Sequence, residues 1–355
     1  MNQPGEHKSQ ICIVGIGAVT AVGLTAPSAA AAVRAGIAGF GEHPFMIDRQ
    51  GEPMIVARVP GLEDQPQAIN RCTALAVPAA REALSPWNTA RNPKGKIPLF
   101  FGLPPKRPGR AADLENHFAD ALGRETGIGS IECISTGHAA GLMALEAGCR
   151  KIVNGSAEFC LVGGVDSYLE PETLEWIEAN DQLHCGLNAN GFLPGEAAGF
   201  CLVCSQPAAE RFNLKVLARL WTVATAREHN LIKTDTVCLG KGLTEVFQKV
   251  FSQLPSATDR IDRTICDMNG ETYRADEYGF AVSRLATRFV SASDFVAPAD
   301  CWGDIGAASG PLFVSLVIAA GQRGYAHANH NLVWTSSESG ERSAAIVHSE
   351  NLSRN

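Results

Sequence analysis

The sequence predicts an α/β fold built from two similar halves, and three observations carry this prediction. Short apolar runs alternate with helical patterns along the whole chain, the same order of patterns occurs twice, and each half ends in two strand-like runs. Alternation of this kind is typical of sheets that are covered by helices, so we expect mainly parallel strands. The 355 residues suffice for one large domain or for two domains of ordinary size.

The first half contains five predicted strands and four predicted helices. The strands near 10–17 and 159–164 are apolar with little alternation and no proline, so we expect them to be adjacent and central in the first sheet. The region from Glu42 to Gln65 has no clear period and is predicted to be a surface excursion. The remaining strands are predicted near 97–102, 130–135 and 199–204, and the helices near 27–35, 66–84, 111–124 and 138–153.

The second half repeats this order of elements. Its strands are predicted near 215–223, 263–268, 294–298, 331–336 and 343–348, and its helices near 240–252, 274–288 and 308–322. The similarity of sequence between the halves is too faint to establish a duplication by itself.

The composition favours a globular protein of a reducing compartment. Apolar residues make up 45% of the chain, enough for a sizeable core, and the net charge of −7 without a Lys/Arg block argues against nucleic-acid binding. No apolar run approaches the ~20 residues of a membrane span. The eleven cysteines are scattered, and we interpret them as small buried side chains; Cys201 and Cys204, three apart in a predicted strand, should face opposite sides. We therefore expect a cytoplasmic protein.

The stretch from Glu132 to Gly164 organises the rest of the chain. It reads as a strand, a sharp turn at Thr136 and Gly137, a helix and a second buried strand. This order places His138 in the first turn of a helix that leaves the carboxyl end of a strand, where backbone N–H groups can stabilise negative charge. The same helix terminus disfavours an imidazolium, so His138 is expected to be neutral at pH 7 and able to act as a weak base.

A set of motifs surrounds this stretch. The turn and helix read STGHAAGLMALEAG, followed by VGGVDS and NGFLPGEAAGFCLV, and the N-terminal part contains VGIGAVTAVG and VRAGIAGF. Together these motifs resemble the β-ketoacyl synthases of the thiolase superfamily, and the resemblance covers most of the chain. It implies the thiolase-like fold, a five-layer αβαβα sandwich of two duplicated halves, which would span residues 10–205 and 214–350 here.

The resemblance also identifies the positions of the family's condensing triad. In the family the turn reads like TACASG and carries a nucleophilic cysteine; His138 stands at that position, and the nearest upstream cysteine, Cys133, lies inside the strand. The two family histidines occur in an HGTGT turn and a KxxxGH turn, where this sequence has Asn269 and Asp304. Because the family chemistry needs an activated thiolate, the resemblance implies that condensation is lost. Asp304 could in principle orient His138.

Four further positions match residues of the family site. The lysine of the KxxxGH turn corresponds to Ala299, and the gating phenylalanine of the C-terminal turn FGFGGTN corresponds to Ser339, while Gly340 is retained. Glu196 matches a glutamate that supports the site structurally, and we assign it the same role. No cofactor and no metal ion are expected.

We therefore interpret the chain as a pseudoenzyme with a structural, interaction or accessory role. One analogue is the non-catalytic chain-length subunit that pairs with an active synthase, and another is the degenerate thiolase-like protein of bacterial secretion-effector systems. The partners would be a second copy or a related synthase in a dimer, and an acyl carrier protein or an effector or adaptor protein. The alternative is an enzyme with altered thioester chemistry, hydrolysis or decarboxylation, that uses His138.

The strand before the turn bears on assembly. In the family this strand forms the edge of its sheet and pairs with its twofold mate. Here Ile131 to Ile134 contain no proline or lysine and one charge, Glu132, which is weak protection for an exposed edge. We therefore expect the chain to be at least dimeric.

Two other patterns carry weaker predictions. His327 and His330 have no cysteine or acidic partner at ligand spacing, so we predict a loop there and not a zinc site. The acidic run of Asp166, Glu170, Glu172 and Glu175 is predicted to be the solvated start of a helix. The segment Glu170-Pro171-Glu172 places carboxylates in the first turn of this helix.

Overall fold

A computed structural model describes residues 11–62, 68–90, 95–124, 127–325 and 330–349. The first half begins with strand β1 (Ile11–Thr20) and helix α1 (Ala26–Arg34). The elements that follow in chain order are β2 (Phe40–Ile47), β3 (Pro53–Ala57), α2 (Ala68–Thr89), β4 (Ile97–Gly102), α3 (Leu114–Gly123), β5 (Ile128–Ile134), α4 (Ala140–Val153), β6 (Phe159–Ser167), α5 (Pro171–Ala179), β7 (Glu196–Ser205) and α6 (Gln206–Arg211).

The second half begins at β8 (Ala218–Arg227). It continues with α7 (Lys241–Phe251), β9 (Arg263–Cys266), α8 (Thr272–Arg284), β10 (Phe295–Val296), α9 (Ala299–Trp302), α10 (Ser309–Gln322), β11 (Asn331–Ser336) and β12 (Glu341–Ser349). The strands and long helices thus lie close to their predicted positions. His330 falls in the turn before β11, whereas His327 lies outside the described residues.

Ten of the described strands form one mixed sheet, in the order β10-β9-β11-β12-β8-β1-β7-β6-β4-β5. In each half the first strand pairs antiparallel with the last, the last pairs antiparallel with its predecessor, and two parallel pairings complete the half. The halves meet at a short antiparallel seam, where Ile11 to Ile13 of β1 face Leu220 to Ala218 of β8. Strand order and direction therefore repeat; the division into domains at 10–205 and 214–350 stays a prediction.

Two expectations about the sheet are wrong. The pairings are mixed and not mainly parallel, because the strands that close each half run antiparallel to their neighbours. Strands β1 and β6 are both interior, but they are not adjacent, since β7 lies between them and pairs with both. A strand that is buried on both faces is apolar in either kind of sheet, so the apolar runs do not distinguish these arrangements.

The helices complete five layers. On one outer face α2 packs against β1, β7 and β6, with α3 against α2 and β5. The helices α4 and α10 pack against each other and against strands of both halves, and on the other outer face α7 packs against β8, β12 and α8. Helix α10 is apolar around its whole circumference and almost fully buried, as expected for a helix in the central layer.

The core is divided between these layers. A central cluster lies between the two half-sheets, and two outer clusters lie under α2 and under α7. Cys201 belongs to the central cluster and Cys204 to an outer one, which confirms that the two thiols face opposite sides of β7. Burial raises the pKa of both thiols to about 12, so neither is a thiolate at neutral pH.

Of the region from Glu42 to Gln65, residues 63–65 lie outside the described residues, and the part up to Leu62 is more ordered than the sequence indicates. It contains a separate antiparallel hairpin of β2 and β3, with an irregular register between Glu42 and Ile47. On β3 the side chains of Met54 and Val56 are buried while Ile55 is partly exposed. The irregularity removes the alternation that would have marked β2 as a strand.

None of the described helices is both long enough and apolar enough to cross a membrane.

Candidate functional site

The site is built on the turn between β5 and α4. Gly137 has a φ of +81°, a conformation that favours glycine, and its N–H donates to the Leu103 carbonyl at 3.2 Å. Ala139 is the N-cap residue and α4 begins at Ala140, so His138 lies just before the helix and not within its first turn. The His138 side chain is 7% exposed and points into the protein.

The three residues at the triad positions lie in contact. Nε2 of His138 is 2.8 Å from Oδ1 and 2.9 Å from Oδ2 of Asp304. The Asn269 amide donates to Oδ2 of Asp304 at 2.6 Å, and the Gly306 N–H donates to Oδ1 at 2.9 Å. Asp304 is therefore held by a ring nitrogen, an amide and a backbone donor, and it does orient His138.

The charge of His138 differs from the expectation. Burial lowers the pKa of the imidazole, but the adjacent Asp304 carboxylate outweighs burial, and the pKa is raised above 6.5. Burial likewise raises the pKa of Asp304, but His138 and the Arg274 guanidinium hold it well below its ordinary value of 3.8. The Asp304 carboxylate at 2.8 Å therefore opposes the neutral form that the helix terminus was expected to favour. In the protonated form of the ring, the Nε2–H group is the hydrogen-bond donor to the Asp304 carboxylate.

The ion pair of His138 and Asp304 is expected to shift the titration of His138 and to make the stability of the protein depend on pH. We expect His138 to titrate above 6.5 in an NMR titration of its ring protons, and below 6.5 in Asp304→Asn, where burial and Arg274 remain. The pair's contribution to stability should be complete below 6.5 and lost as the pH rises through the raised pKa of His138. It should also be lost as the pH falls below 3.8 through the depressed pKa of Asp304. A titration of His138 at or below 6.5 in the unaltered protein would contradict the assignment.

Arg274 completes the site, and the sequence analysis missed it. Its guanidinium is 1% exposed, donates from Nη1 to Asp267 at 2.9 Å, lies 3.4 Å from Glu271 and approaches Nε2 of His138 to 3.2 Å. It stands on α8, whose sequence TYRADEYGF is polar and resembles a solvated helix. The signal that was available is the short spacing between the TICDM strand, which carries Asp267, and this arginine.

The C-terminal turn contributes Ser337 to the site, whereas the sequence analysis predicted Ser339. The Ser337 hydroxyl accepts from the N–H of Ala139 at 2.9 Å and so occupies a backbone donor beside His138. Ser339 is exposed and donates to Glu341, and it makes no hydrogen bond to a residue at the triad positions. Gly340 has a φ of +109°, and a Cβ there would lie 2.7 Å from the Glu228 carbonyl oxygen, so this glycine shapes the turn.

Glu196 lies at the centre of a buried hydrogen-bond network. It is fully buried, it accepts from Arg71 through both oxygens, and it also accepts from the Val59 N–H at 2.8 Å and the Ser167 hydroxyl at 3.1 Å. These bonds tie β7 to α2, to the segment after β3 and to β6.

The acidic run is only partly solvated. Asp166 is fully buried in β6, where it pairs with Arg107 at 2.6 Å and accepts from the Ala307 N–H at 3.1 Å, so the expectation of a solvated residue is wrong. Glu170 is the N-cap residue of α5, and burial raises its pKa to about 7. Glu172 and Glu175 are exposed, as expected.

A cleft of about 280 Å³ opens beside the triad positions. Its lining includes Asn269, Asp304, Ala299, Asp300 and His184. Ala299 thus lies at the cleft with a methyl group where the family has a lysine, and the polar groups that face the cleft are mostly acidic or neutral.

One cluster of the described residues has the composition of a metal site. Glu228, Cys238 and Glu277 bring one ligand atom each within 4.8 Å of the others. However, Glu277 is already paired with Arg342 at 2.6 Å, and Glu228 accepts from the Gly242 N–H at 2.8 Å. Both carboxylates therefore already have hydrogen-bond partners within the protein.

The chemistry available at this site is limited by its own contacts. The His138 ring nitrogen, the Asp304 carboxylate and the Asn269 amide are bonded to one another. Cys133, the nearest upstream thiol, lies in β5, and burial raises its pKa to about 11. The Cys133 side chain therefore supplies no thiolate at neutral pH, and Nε2 of His138 is engaged with Asp304.

The chain is similar to known proteins both in part of its sequence and in its fold. Residues 128–209 match the family model of the β-ketoacyl synthase N-terminal domain, which covers β5 to α6 and includes His138 and Glu196. Solved ketosynthases superimpose on nearly the whole chain. The chain has the thiolase-like fold of the ketosynthases. The expected fold class is thereby confirmed.

Three ketosynthase structures illustrate the extent of the likeness. The ishigamide ketosynthase/chain length factor has a TM-score of 0.81 at 16% identity, with 97% of this chain and 100% of that chain covered. A type II PKS acyl-carrier protein in complex with its ketosynthase bound to the hexaketide gives 0.79 at 16% identity, again with 97% and 100% covered. The ketosynthase from module 6 of the bacillaene synthase from Bacillus subtilis gives 0.74 at 15% identity, with 96% of this chain and 72% of that chain covered. No curated protein sequence matches the chain.

Proposed function

We propose that this ketosynthase-like chain is a non-condensing accessory subunit, which acts in the cytoplasm by pairing with a related synthase or with a second copy. The observation that carries the proposal is the ion pair between His138 and Asp304 at 2.8 Å, closed by Asn269. A condensing site needs a thiolate and two groups that are free to meet substrate. In this chain the three matching positions satisfy one another.

The likeness to a ketosynthase/chain length factor supports an accessory role in acyl-chain synthesis over one in a secretion-effector system. An acyl carrier protein is then a plausible further partner, since one of the similar structures contains a carrier protein with its ketosynthase. The mostly acidic and neutral cleft beside Asp304 is poorly suited to a malonyl carboxylate, because the lysine position is Ala299.

The first test is catalytic. The unaltered protein is expected to show no condensation and no decarboxylation of malonyl carrier protein, and His138→Cys is expected to restore neither, because such sites act as units. Product formation is measured by mass spectrometry of the carrier protein, with an active ketosynthase as positive control. An acyl adduct on the unaltered chain, or turnover by it, would remove the proposal.

The alternative function, hydrolysis or decarboxylation through His138, is favoured only by the orientation that Asp304 gives the imidazole. The contact of Nε2 with both oxygens of Asp304 opposes this function, because that nitrogen is then not free to accept a proton from a substrate. Hydrolysis of an acyl carrier protein thioester that is abolished in His138→Gln would support the alternative.

Strand β5 is the surface at which we expect the two subunits to pair. This strand ends the sheet of the described residues, as expected for an edge, and it is partly exposed. Its side chains at Ile131, Cys133 and Ile134 are half-buried, so an unpaired edge would leave apolar groups and backbone donors open to solvent.

The second test is assembly. The unaltered protein is expected to sediment as a dimer, or to do so once a related synthase is added, and Ile134→Asp is expected to give dissociated or insoluble protein. Glu175→Lys on the exposed face of α5 is the control and should leave the sedimentation coefficient unchanged. Because Ile134 also packs against its own core, the secondary structure of the variant is checked by circular dichroism. The pairing would be contradicted if the unaltered chain sediments as a soluble monomer and does not bind the added synthase.

A further inference from the structure

A second cavity lies between α1 and the end of α10. Its volume is about 400 Å³, and it shares no lining residue with the cleft beside Asp304. Its inner wall is apolar: Ile16 of β1, Ala26 and Ala30 of α1 and Ala319 of α10 contribute methyl and methylene groups. Ala26 and Ala30 are almost fully buried, so the wall belongs to the packed core.

Two guanidinium groups stand at this cavity. Arg34 lies over the ring of Tyr325, with its Cζ 3.9 Å from the ring centroid, and Arg323 follows the last residue of α10. Neither side chain forms an ion pair or hydrogen bond with any residue of the described ranges. The lining contains no carboxylate, although the chain as a whole carries a net charge of −7.

Helix termini account for only part of this arrangement. Both arginines lie at helix C-termini, where a cation is favoured by the exposed carbonyl groups. That preference explains the charges but not the cavity beneath them. It also does not explain the stacking of Arg34 on Tyr325, which restrains a side chain that would otherwise move freely in solvent.

We infer that this cavity binds a small anionic amphiphile, with its carboxylate or phosphate head between Arg34 and Arg323 and its apolar chain against the alanine wall. A guanidinium group binds a carboxylate or a phosphate through paired N–H donors. The apolar wall adds to the free energy of binding only when the ligand also has an apolar chain that becomes buried against it. Binding at this cavity does not depend on the accessory role, because the cavity shares no lining residue with the cleft beside Asp304.

The ligand class can be tested by calorimetry on the full chain. Octanoate and octyl phosphate serve as anionic probes, 1-octanol and octylammonium as matched probes without the negative charge, and acetate as a head without a chain. We expect the two anionic amphiphiles to bind at least about tenfold more tightly than the others, or about 1.4 kcal/mol. The ratio of octanoate to octyl phosphate then distinguishes the two heads.

Variants locate the site. Arg34→Gln and Arg323→Gln should each weaken octanoate binding about tenfold, and Ala31→Trp, at an exposed lining position, should block the cavity. Arg150→Gln is the control, because Arg150 is also an exposed arginine in the last turn of a helix. The inference is overturned if octanoate does not bind, if 1-octanol binds equally well, or if Arg150→Gln weakens binding as much as Arg34→Gln.

Discussion

Replacing Arg274 with methionine is expected to lower the free energy of unfolding by about 3–5 kcal/mol, the cost of leaving a buried charge without its partner. Arg274 is 1% exposed and is the cation that faces both Asp267 and Glu271. Methionine fills much of the same volume, so the loss comes from the uncompensated carboxylates and not from a void. Burial already raises the pKa of Asp267, and removal of the guanidinium would raise it further.

The Arg274 experiment has a matched control and a second readout. Arg49→Met removes an exposed ion pair with Asp181 at 3.5 Å and should change the free energy of unfolding by less than about 1 kcal/mol in urea titrations. In Arg274→Met the pKa of His138 should also rise, because Arg274 lowers it in the unaltered protein. Equal losses of stability in the two variants would show that the buried network does not have this role.

Gly164→Ala is expected to cost about 3 kcal/mol or to prevent folding, because the added Cβ meets backbone that cannot move aside. That Cβ would lie 2.1 Å from the Ala307 carbonyl oxygen. The segment around Ala307 is fixed by its N–H, which donates to Asp166, and it directly follows Asp304. A displacement large enough to relieve the clash would draw Asp304 away from His138, so the raised pKa of His138 should be lost as well.

Gly123→Ala is the control for the glycine experiment. Gly123 ends α3, and nothing lies within 4 Å of its added Cβ. Alanine at this helical position should leave stability unchanged or raise it by up to about 1 kcal/mol. Thermal unfolding of both variants decides between steric conflict and a general intolerance of glycine replacement; a fully stable Gly164→Ala would contradict the packing described for β6.

The elements of the fold could be predicted because apolar periodicity reports burial. The central strands and helix α10 are largely apolar, helix α4 has a long apolar face, and their positions in the sequence agree with the structure. Strand direction could not be predicted in the same way, since burial on both faces gives the same pattern in parallel and antiparallel pairs. The hairpin of β2 and β3 was missed because its register is irregular and its outer face is exposed.

At the candidate site, the sequence could locate residues but could not predict their charge or their burial. The positions of His138, Asn269 and Asp304 could be found from motifs, but the charge of His138 depends on a carboxylate 166 residues away. Arg274 stands in a polar helical segment, and its burial follows from the carboxylates of Asp267 and Glu271 together with the Ser336 carbonyl. Spacing within a motif identifies which residues meet, whereas their protonation is decided by everything else that surrounds them.

The position of β7 between β1 and β6 has a consequence for the order in which the chain can fold. Ile11 pairs with Ser205, so the partner of the first strand is synthesised about 190 residues later. Synthesis of this length takes about 10–40 s at ordinary rates. During this interval β1 is an apolar strand without its antiparallel neighbours. Closing so long a loop is also slow in a refolding chain. The sheet of the first half can therefore be completed only after β7 has been synthesised.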